Sequence, residues 1–528
     1  MTIGNLVGRQ ALYNPDKVAL VDTLNGGRPI TYGKWAEVVE QTANWLSKGL
    51  GVRKGDRVAV LAMNCVEYLD VWMACGRIGA ILQNLNWRLT AEELSRLIND
   101  AEPTVLIYGD DFIESVAAFR QTGSIQHFVA FGRKATESDH QFAERNTFSA
   151  AATAEVALDW DDPWVICYTG GTTGLPKGAI LSHRAMVMNA VNTNSSWGLT
   201  AEDVAILNAP LFHTGGLNVF TLPLVLAGGT SIVCRTFDVE QVFDLVEQGQ
   251  VTVFFGVPTM FIMMQQHRRW ETADFSHLKL IISGGAPCPL PVFEKFWAKG
   301  VDFKTGYGLT EAGPNTFWLP TADVRRKPGY VGFPLLFVEV KAVNEQGFEC
   351  GPNEPGELII HGPHMCAGYW RNPEATRQAI HPTPADPSGR SWLHTGDLAI
   401  YDEEGYFKII GRLKDMFISG GENVYPAEIE SVLHAHPAVV EAAVIAVPNE
   451  KWGEVGQAVV VLSSLSLSKA GLRQAQTPSE DVLTEELLAF CRSRLAGYKV
   501  PHSVRFVSEM PKTGAGKIDK KQLQSQTI

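Results

Sequence analysis

The sequence predicts an α/β protein. Its large N-terminal domain would hold two α/β subdomains and a small β-barrel-like subdomain, and a smaller C-terminal α/β (α+β) domain would follow. Three observations carry this. Short apolar runs alternate with helical spacing from residue 35 to 283, the texture of parallel strands with crossover helices. Between 331 and 406 it changes to short strands separated by Gly/Pro turns, and after 411–415 a second alternating series begins. The length, 528 residues, is too great for one domain and fits about three or four units.

In order along the chain, residues 35–48 place apolar side chains at helical spacing, and Gly51-Val52-Arg53-Lys54-Gly55-Asp56 reads as a turn. Runs at 57–62, 105–108 and 128–131 are short and apolar, as buried parallel strands are, with a helix at 65–76. An Ala- and Asp-rich stretch, 151–162, is expected to be an exposed lead-in to the buried strand Trp164-Val165-Ile166-Cys167-Tyr168, and a helix is expected around 185–191. A second series has strands at 204–209, 220–226, 231–234, 252–255 and 280–283, with a helix at 239–247. Strands at 338–343, 356–360 and 405–410 suit a small antiparallel barrel or sheet. The last unit has helices at 427–436 and 484–495 and strands at 439–447 and 457–462, with polar 463–479 as a surface insertion. No internal repeat is evident.

Composition narrows the function. A net charge of −12 lacks the basic stripe that nucleic-acid binding requires. Eight cysteines are scattered without a C-x-x-C pair, which argues against zinc and a disulfide framework and points to a reducing cytoplasm. Met1-Thr2-Ile3-Gly4-Asn5 has no leader pattern, and no apolar run reaches the roughly 18 residues of a membrane span. A cytoplasmic protein is expected, with at most weak peripheral membrane association, as monomer or homodimer.

The most informative stretch is Tyr168-Thr169-Gly170-Gly171-Thr172-Thr173-Gly174-Leu175-Pro176-Lys177-Gly178. Four glycines and three threonines cannot make a packed element. They can make a loop whose bare N–H groups and hydroxyls approach a polyphosphate, with Lys177 to neutralise it. The Walker pattern does not fit, because no Ser or Thr follows the lysine. Further polar glycine segments follow: Ser283-Gly284-Gly285-Ala286-Pro287, Thr305-Gly306-Tyr307-Gly308-Leu309-Thr310-Glu311, His394-Thr395-Gly396-Asp397 (read as a turn), Gly411-Arg412, and Pro511-Lys512-Thr513-Gly514-Ala515-Gly516-Lys517. Singly, each could be a capped turn, a salt bridge or a solvated basic tail.

In this order the segments resemble the adenylate-forming superfamily: acyl-CoA synthetases, luciferases and peptide-synthetase adenylation domains. The resemblance runs from about Asn14 to Lys521. It is strongest to bacterial fatty-acid and aryl-acid CoA ligases, through Gly411-Arg412-Leu413-Lys414-Asp415-Met416-Phe417-Ile418-Ser419-Gly420-Gly421-Glu422-Asn423-Val424-Tyr425-Pro426. The resemblance implies an AMP-forming acid–thiol ligase that makes acyl-CoA, AMP and diphosphate from a carboxylic acid, ATP and CoA through an acyl-adenylate. It implies a large domain 1–411, a hinge 412–414 and a small mobile domain 415–528.

It also implies site roles. Thr169, Gly170, Gly171, Thr172, Thr173, Gly174 and Lys177 would hold the β/γ-phosphates, and Thr310 the α-phosphate. Glu311, with Thr173, would bind the Mg²⁺ that accompanies ATP. Tyr307, in Gly306-Tyr307-Gly308, would stack on adenine beside Gly285-Ala286-Pro287, and Asp397 and Arg412 would grip the ribose. Lys517 would bridge α-phosphate and carboxylate. His213 would gate or contact the substrate carboxylate, or else be a buried structural histidine. Lys414 would be the hinge, and Ser419, Gly420 and Gly421 would line the pantetheine tunnel of the co-substrate CoA. One departure stands out: the family loop usually has Ser where this chain has Gly170.

Peptide-synthetase relatives carry an Asp after the segment that matches Pro210-Leu211-Phe212, to pair with the substrate amine; His213-Thr214-Gly215 supplies none, so the resemblance disfavours amino-acid substrates. Acyl-pocket candidates Phe220, Phe255, Val257, Met260, Phe317 and Phe333 are apolar, although Met260, Met263 and Met264 at helical spacing read more readily as core. Gly308 stands where acetate-activating relatives carry a tryptophan, so a deeper site for medium or long chains or a ring is expected. Fatty, cinnamate-like and steroid- or terpenoid-derived acids all stay open. The competing readings are an acyl-AMP ligase loading a carrier protein and, in another class, a nucleotide-binding pseudoenzyme scaffold.

Overall fold

The computed structural model describes residues 3–153, 155–169, 176–462, 480–513 and 517–526. Four sheets of five or more strands organise them. The first has seven strands in the order His140–Gln141, His127–Ala130, Val105–Tyr108, Arg57–Leu61, Ile81–Asn84, Pro163–Thr169 and Lys177–Ser182. Neighbours are parallel except for the last pair. Ile81–Asn84 and Val105–Tyr108 are buried at every position, which is why central strands read as unbroken runs rather than alternating ones.

The second sheet runs Phe303–Thr305, Leu280–Ser283, Val253–Gly256, Val204–Leu207, Thr230–Val233, Val18–Asp22, Arg28–Thr31. Its last two strands form an N-terminal hairpin, and Val18–Asp22 pairs in parallel with Thr230–Val233. Local pattern cannot announce a pairing between segments so far apart. Residues 220–226 were expected as a strand and instead form the helix Thr221–Ala227. Thr221 through Val225 are all buried, so no polar face marks a 3.6 period, and a short buried helix then looks like a buried strand. The missed signal was Gly228, which ends the helix in the left-handed conformation at φ +84°.

The third sheet is antiparallel, built from Glu339–Val343, Gly356–His361, Ser391–Tyr401, Ile380–Pro382 and Phe407–Arg412. After the 3₁₀ turn Leu413–Asp415 the fourth sheet begins, with Phe417–Ser419, Glu422–Val424, Val439–Asn449, Gly453–Leu462 and Ser503–Phe506. The helices Pro426–His434 and Glu480–Arg492 pack their buried residues on it. The expected insertion 463–479 lies outside the described residues.

Aromatic stacking ties the first sheet to the helices beside it. Trp164 lies between Trp72 and His183, with ring centroids 5.5 and 4.9 Å away, and its Nε1 donates to the Trp72 carbonyl at 3.0 Å. His183 is fully buried, and neither of its ring nitrogens has a hydrogen-bond partner among the described residues. Burial pushes it down to about 4, helped by Lys54 and opposed by Asp162. His364 is likewise buried and unbonded, and burial takes it to about 4.

Both folded values lie below the ~6.5 of a free histidine. Between those limits the unfolded chain therefore holds more protons, and stability falls as pH drops through the window. Each histidine contributes on the order of 3 kcal/mol above about pH 6.5, lost by about pH 4. Melting temperatures should decline across that range. His183→Phe keeps a ring on Trp164 but cannot titrate, so its decline should be shallower. Identical slopes for the two proteins would show that His183 does not take up a proton.

Candidate active site

The predicted residues gather where the parallel strands of the second sheet end. Leu280–Ser283 leads into Gly284-Gly285-Ala286-Pro287, Phe303–Thr305 into Gly306-Tyr307-Gly308, Val253–Gly256 into Val257, and Val204–Leu207 into the loop to His213. Carboxyl ends of parallel strands are where loops of an open α/β sheet can form a crevice. Gly285, Ala286 and Pro287 are exposed there, and Gly285 needs its glycine, at φ +81°.

Two facing strands of the third sheet supply the next pair. Asp397 and Arg412 are register partners, and Arg412 Nε lies 3.1 Å from Asp397 Oδ1. The other carboxylate oxygen, Oδ2, accepts from the Tyr307 hydroxyl at 2.7 Å. Asp397 does not sit in a turn, as expected, but inside the long strand Ser391–Tyr401, where the register with Gly356–His361 shifts. Glu357 fills that irregularity: its Oε1 accepts from Gly396 N–H at 2.9 Å and its Oε2 lies 2.9 Å from His394 Nδ1. Gly396 takes φ +68°, and the Asp397 N–H donates to Thr395 Oγ1 at 3.0 Å.

Glu311 lies in the 3₁₀ turn Thr310–Ala312, with Thr310 buried beside it. Its Oε1 accepts from Thr169 Oγ1 at 3.2 Å and from the Tyr369 hydroxyl at 2.9 Å. No hydrogen bond to Oε2 is seen among the described residues. A carboxylate with one oxygen free of such a donor suits a hard cation such as Mg²⁺, which takes one or two carboxylates and completes its shell with water and phosphate. Lys177, at the loop's exit, holds its ammonium 5.0 Å from the Tyr369 ring centroid. Gly170, Gly171, Thr172, Thr173 and Gly174 lie outside the described residues, as do 514–516.

Lys517 and His213 converge on the same cleft. The charges of Arg412, Asp397, Glu311 and Lys414 all reach Lys517, and Lys517 and Arg88 act in turn on His213. Both side chains are exposed to solvent, yet protein atoms crowd them closely enough to penalise charge. Burial, then Arg412, lowers Lys517 below the usual lysine range, with Asp397 and Glu311 opposing. His213 falls to about 4 by burial, then Lys517, then Arg88, so it is neutral near pH 7. Its Nδ1 accepts from Gly215 N–H at 3.0 Å, which leaves the ring proton on Nε2. Lys414 sits in the 3₁₀ turn between the third and fourth sheets.

Of the acyl-pocket candidates, Phe220 and Phe255 line a narrow cavity of about 10 Å³ with Leu207, Ala209, Gly215 and Gly216. Its walls are close-packed: a Cβ on Gly215 or on Gly284 would meet the Phe255 ring at 3.3 or 3.1 Å. Val257 borders Gly285. Phe333 is elsewhere, its ring tilted against Tyr406 with centroids 4.3 Å apart, in a separate cluster with Leu319 and Val324. Gly308 differs from expectation too. The place of its missing side chain is not open space: the Pro314 carbonyl occupies it, far inside contact distance.

Ser419, Gly420 and Gly421 make the tip of a hairpin between Phe417–Ser419 and Glu422–Val424, away from these residues in sequence and on the fourth sheet. Gly420 and Gly421 take φ +60° and +90°, and a Cβ on Gly420 would meet the Trp452 ring at 2.8 Å. Sequence reasoning missed Tyr369, Glu357 and Arg88. The last stacks on Trp87 and Phe212 at 4.9 and 5.8 Å. Nothing in their local pattern marks them, because each acts across a long sequence separation.

Family models for "AMP-binding enzyme" and "AMP-binding enzyme C-terminal domain" match residues 7–370 and 428–517. A feruloyl-CoA synthase from an Amycolatopsis species is 39% identical over 516 residues, 98% of this chain and 97% of that one. A long-chain-fatty-acid–CoA ligase of Mycobacterium tuberculosis is 33% identical over 528 residues, 99% and 98% of the two chains. A solved anthranilate CoA ligase in complex with anthranoyl-AMP superposes with a TM-score of 0.87 at 27% identity, covering 100% of this chain and 97% of its own.

At Gly308, with backbone filling the Cβ direction, a side chain forces the turn apart rather than walling off an acyl channel. Gly308→Trp should cut activity by a similar factor for acids from two to twelve carbons long. A selective gain for acetate would restore the pocket-depth reading.

Proposed function

The chain belongs to the AMP-binding enzyme family, and from that premise we propose how its residues divide the work of an AMP-forming acid–CoA ligase. The overall reaction converts a carboxylic acid, ATP and CoA into acyl-CoA, AMP and diphosphate. A carboxylate oxygen attacks the α-phosphorus of ATP and diphosphate leaves. The CoA sulfur then attacks the acyl carbon and AMP leaves.

The acid is already ionised at pH 7, so no general base is needed for the first step. Anion meets anion, and neutralisation with in-line placement is the whole problem. The single observation that supports our assignment is the convergence of Lys517, Arg412, Asp397, Glu311 and His213 on one crevice. Lys517 bridges carboxylate and α-phosphate, with Thr310 beside the latter. Neutral His213 offers Nε2–H to the carboxylate. Asp397 and Arg412 hold the ribose, Tyr307 lies along the adenine beside Gly285–Pro287, and Lys177 with the 169–174 loop receives the outer phosphates. Glu311, with Thr173, would hold Mg²⁺, which spreads the charge of the triphosphate. Domains 1–411 and 415–528 would rotate about Lys414, bringing Ser419-Gly420-Gly421 against pantetheine. Glycines suit that contact, since a bare backbone lets a narrow chain lie close.

For the acid we propose a ring-bearing class. The feruloyl-CoA synthase stands at higher identity than the fatty-acid ligase, and Phe220 and Phe255 put two aromatic rings beside Gly215 and Gly216. A cytoplasmic site of action follows from the substrates ATP and CoA.

Lys517→Ala should slow acyl-AMP formation by on the order of 10²–10³, as deleting one preorganised charge-stabilising donor does. Thioester formation from supplied acyl-AMP should be largely spared. Equal loss in both steps would make the lysine structural. Lys414→Pro, locked near φ −65°, should keep adenylation and lose CoA transfer; normal overall turnover would move the hinge elsewhere. Diphosphate release across cinnamate-like, phenylacetate-like and C6–C16 fatty acids should favour the first two groups, and a best substrate among the fatty acids would overturn the ring-bearing assignment.

A further inference from the structure

We propose that Tyr369 is a positioning residue for the metal–triphosphate end of the site, fixing the Glu311 carboxylate and the Lys177 ammonium relative to one another. The proposal rests on reading Glu311 as the Mg²⁺ carboxylate and Lys177 as a phosphate cation.

Tyr369 lies on a strap, residues 362–371, stitched along the edge strand Lys177–Ser182. Ile180 N–H donates to the Gly368 carbonyl at 2.9 Å, Ala367 N–H to the Ile180 carbonyl at 2.9 Å, and Trp370 N–H to the Gly178 carbonyl at 2.7 Å. The same strap reaches Glu311 through the backbone, since Cys366 N–H donates to the Glu311 carbonyl at 2.7 Å. Its far end is anchored as well. Trp370 Nε1 and Arg371 each donate to the Asp100 carbonyl at 3.3 Å, and Tyr369 N–H donates to Thr376 Oγ1 at 2.9 Å. A ring carried on so fixed a backbone has little freedom.

That ring makes two different contacts. Its hydroxyl donates to Glu311 Oε1 at 2.9 Å, sharing that oxygen with Thr169 Oγ1. Both donors reach the same oxygen, and no hydrogen bond to the other is seen among the described residues. The ring face lies 5.0 Å from the Lys177 ammonium, within cation–π range. One side chain thus holds the acidic group through its hydroxyl and the basic one against its ring.

The two contacts separate by mutation. Tyr369→Phe removes the hydroxyl and keeps the ring, while Tyr369→Leu removes both. ATP binding is measured by calorimetry across a magnesium titration and in chelator, with Glu311→Gln alongside and melting temperatures for all. Tyr369→Phe should raise the magnesium needed for half-maximal ATP binding about tenfold, the scale of losing a group that orients a metal ligand. It should leave binding in chelator unchanged. Tyr369→Leu should in addition weaken ATP binding in chelator by about two- to fivefold, from the lost cation–π contact. A magnesium dependence in Tyr369→Phe equal to wild type, while Glu311→Gln shifts it, overturns the positioning role alone. No shift in Glu311→Gln overturns the metal reading and the proposal with it. Loss of ATP binding at all magnesium levels together with a lower melting temperature would make Tyr369 merely structural.

Discussion

The constraint on which the rest depends is electrostatic: a carboxylate must be brought to a triphosphate, and both are anions in water. At 4 Å two unit charges repel by about 1 kcal/mol in bulk water, and by about 4 kcal/mol at the effective dielectric of a protein surface. A crevice that excludes solvent therefore worsens the repulsion unless it brings cations with it. Those cations cannot simply be clustered beforehand, because they repel each other. The lowered affinity of Lys517 for its proton, caused by burial and by Arg412, is that cost made visible. Asp397 and Glu311 offset it, which gives the two carboxylates a part in the resting state besides any they have with nucleotide.

The chain answers by drawing its charges from separate layers. Arg412 and Asp397 come from paired strands of the third sheet, Glu311 from a turn after the second, Lys177 from the edge of the first, and Lys517 from the last unit. No local segment holds them all. Asp397, Glu311 and the neighbouring His213 are tethered by groups that carry no charge to the site: Tyr307 on Asp397, Thr169 on Glu311, the Gly215 N–H on His213. These hydrogen bonds fix direction, and direction rather than proximity decides whether a charge stabilises what develops during reaction.

This division explains what could be read from the sequence. Glycine-rich loops, buried strands such as 105–108 and 280–283, and the helix 239–247 announce themselves because their causes are local: backbone freedom, burial on both faces, a 3.6 period. The order of charged motifs was legible through family resemblance, and the structure pairs two of them directly, Asp397 with Arg412. What stayed hidden is what depends on distant partners. Val18–Asp22 and its hairpin partner Arg28–Thr31 join a sheet whose other members begin at Val204. Residues 220–226 turned out helical because burial on all sides erased their period. Phe333 was selected by apolarity and faces Tyr406 instead, since apolarity alone does not tell a pocket from a core. Gly308 misled in the opposite sense: an absent side chain can mean open space or a backbone passing close, and here it is the Pro314 carbonyl.

The same logic bears on why the lysine lies in the fourth-sheet unit. A lysine fixed in the crevice floor would neutralise the carboxylate during attack, and would still stand against the acyl carbon when a thiol has to arrive. A group needed for one step and obstructive in the next is best carried on a part that can leave. The connection between the third and fourth sheets is short, the turn Leu413–Asp415 directly following Arg412. With the proposed hinge at that turn, a backbone change would move Lys517 while leaving Asp397 and Arg412 paired on the strands behind it. The hairpin with Gly420 and Gly421 would travel with the lysine, since both belong to the unit of the fourth sheet. On that proposal one rotation would withdraw a charge and present a bare backbone edge in its place, so that two reactions with different electrostatic needs would use one nucleotide site.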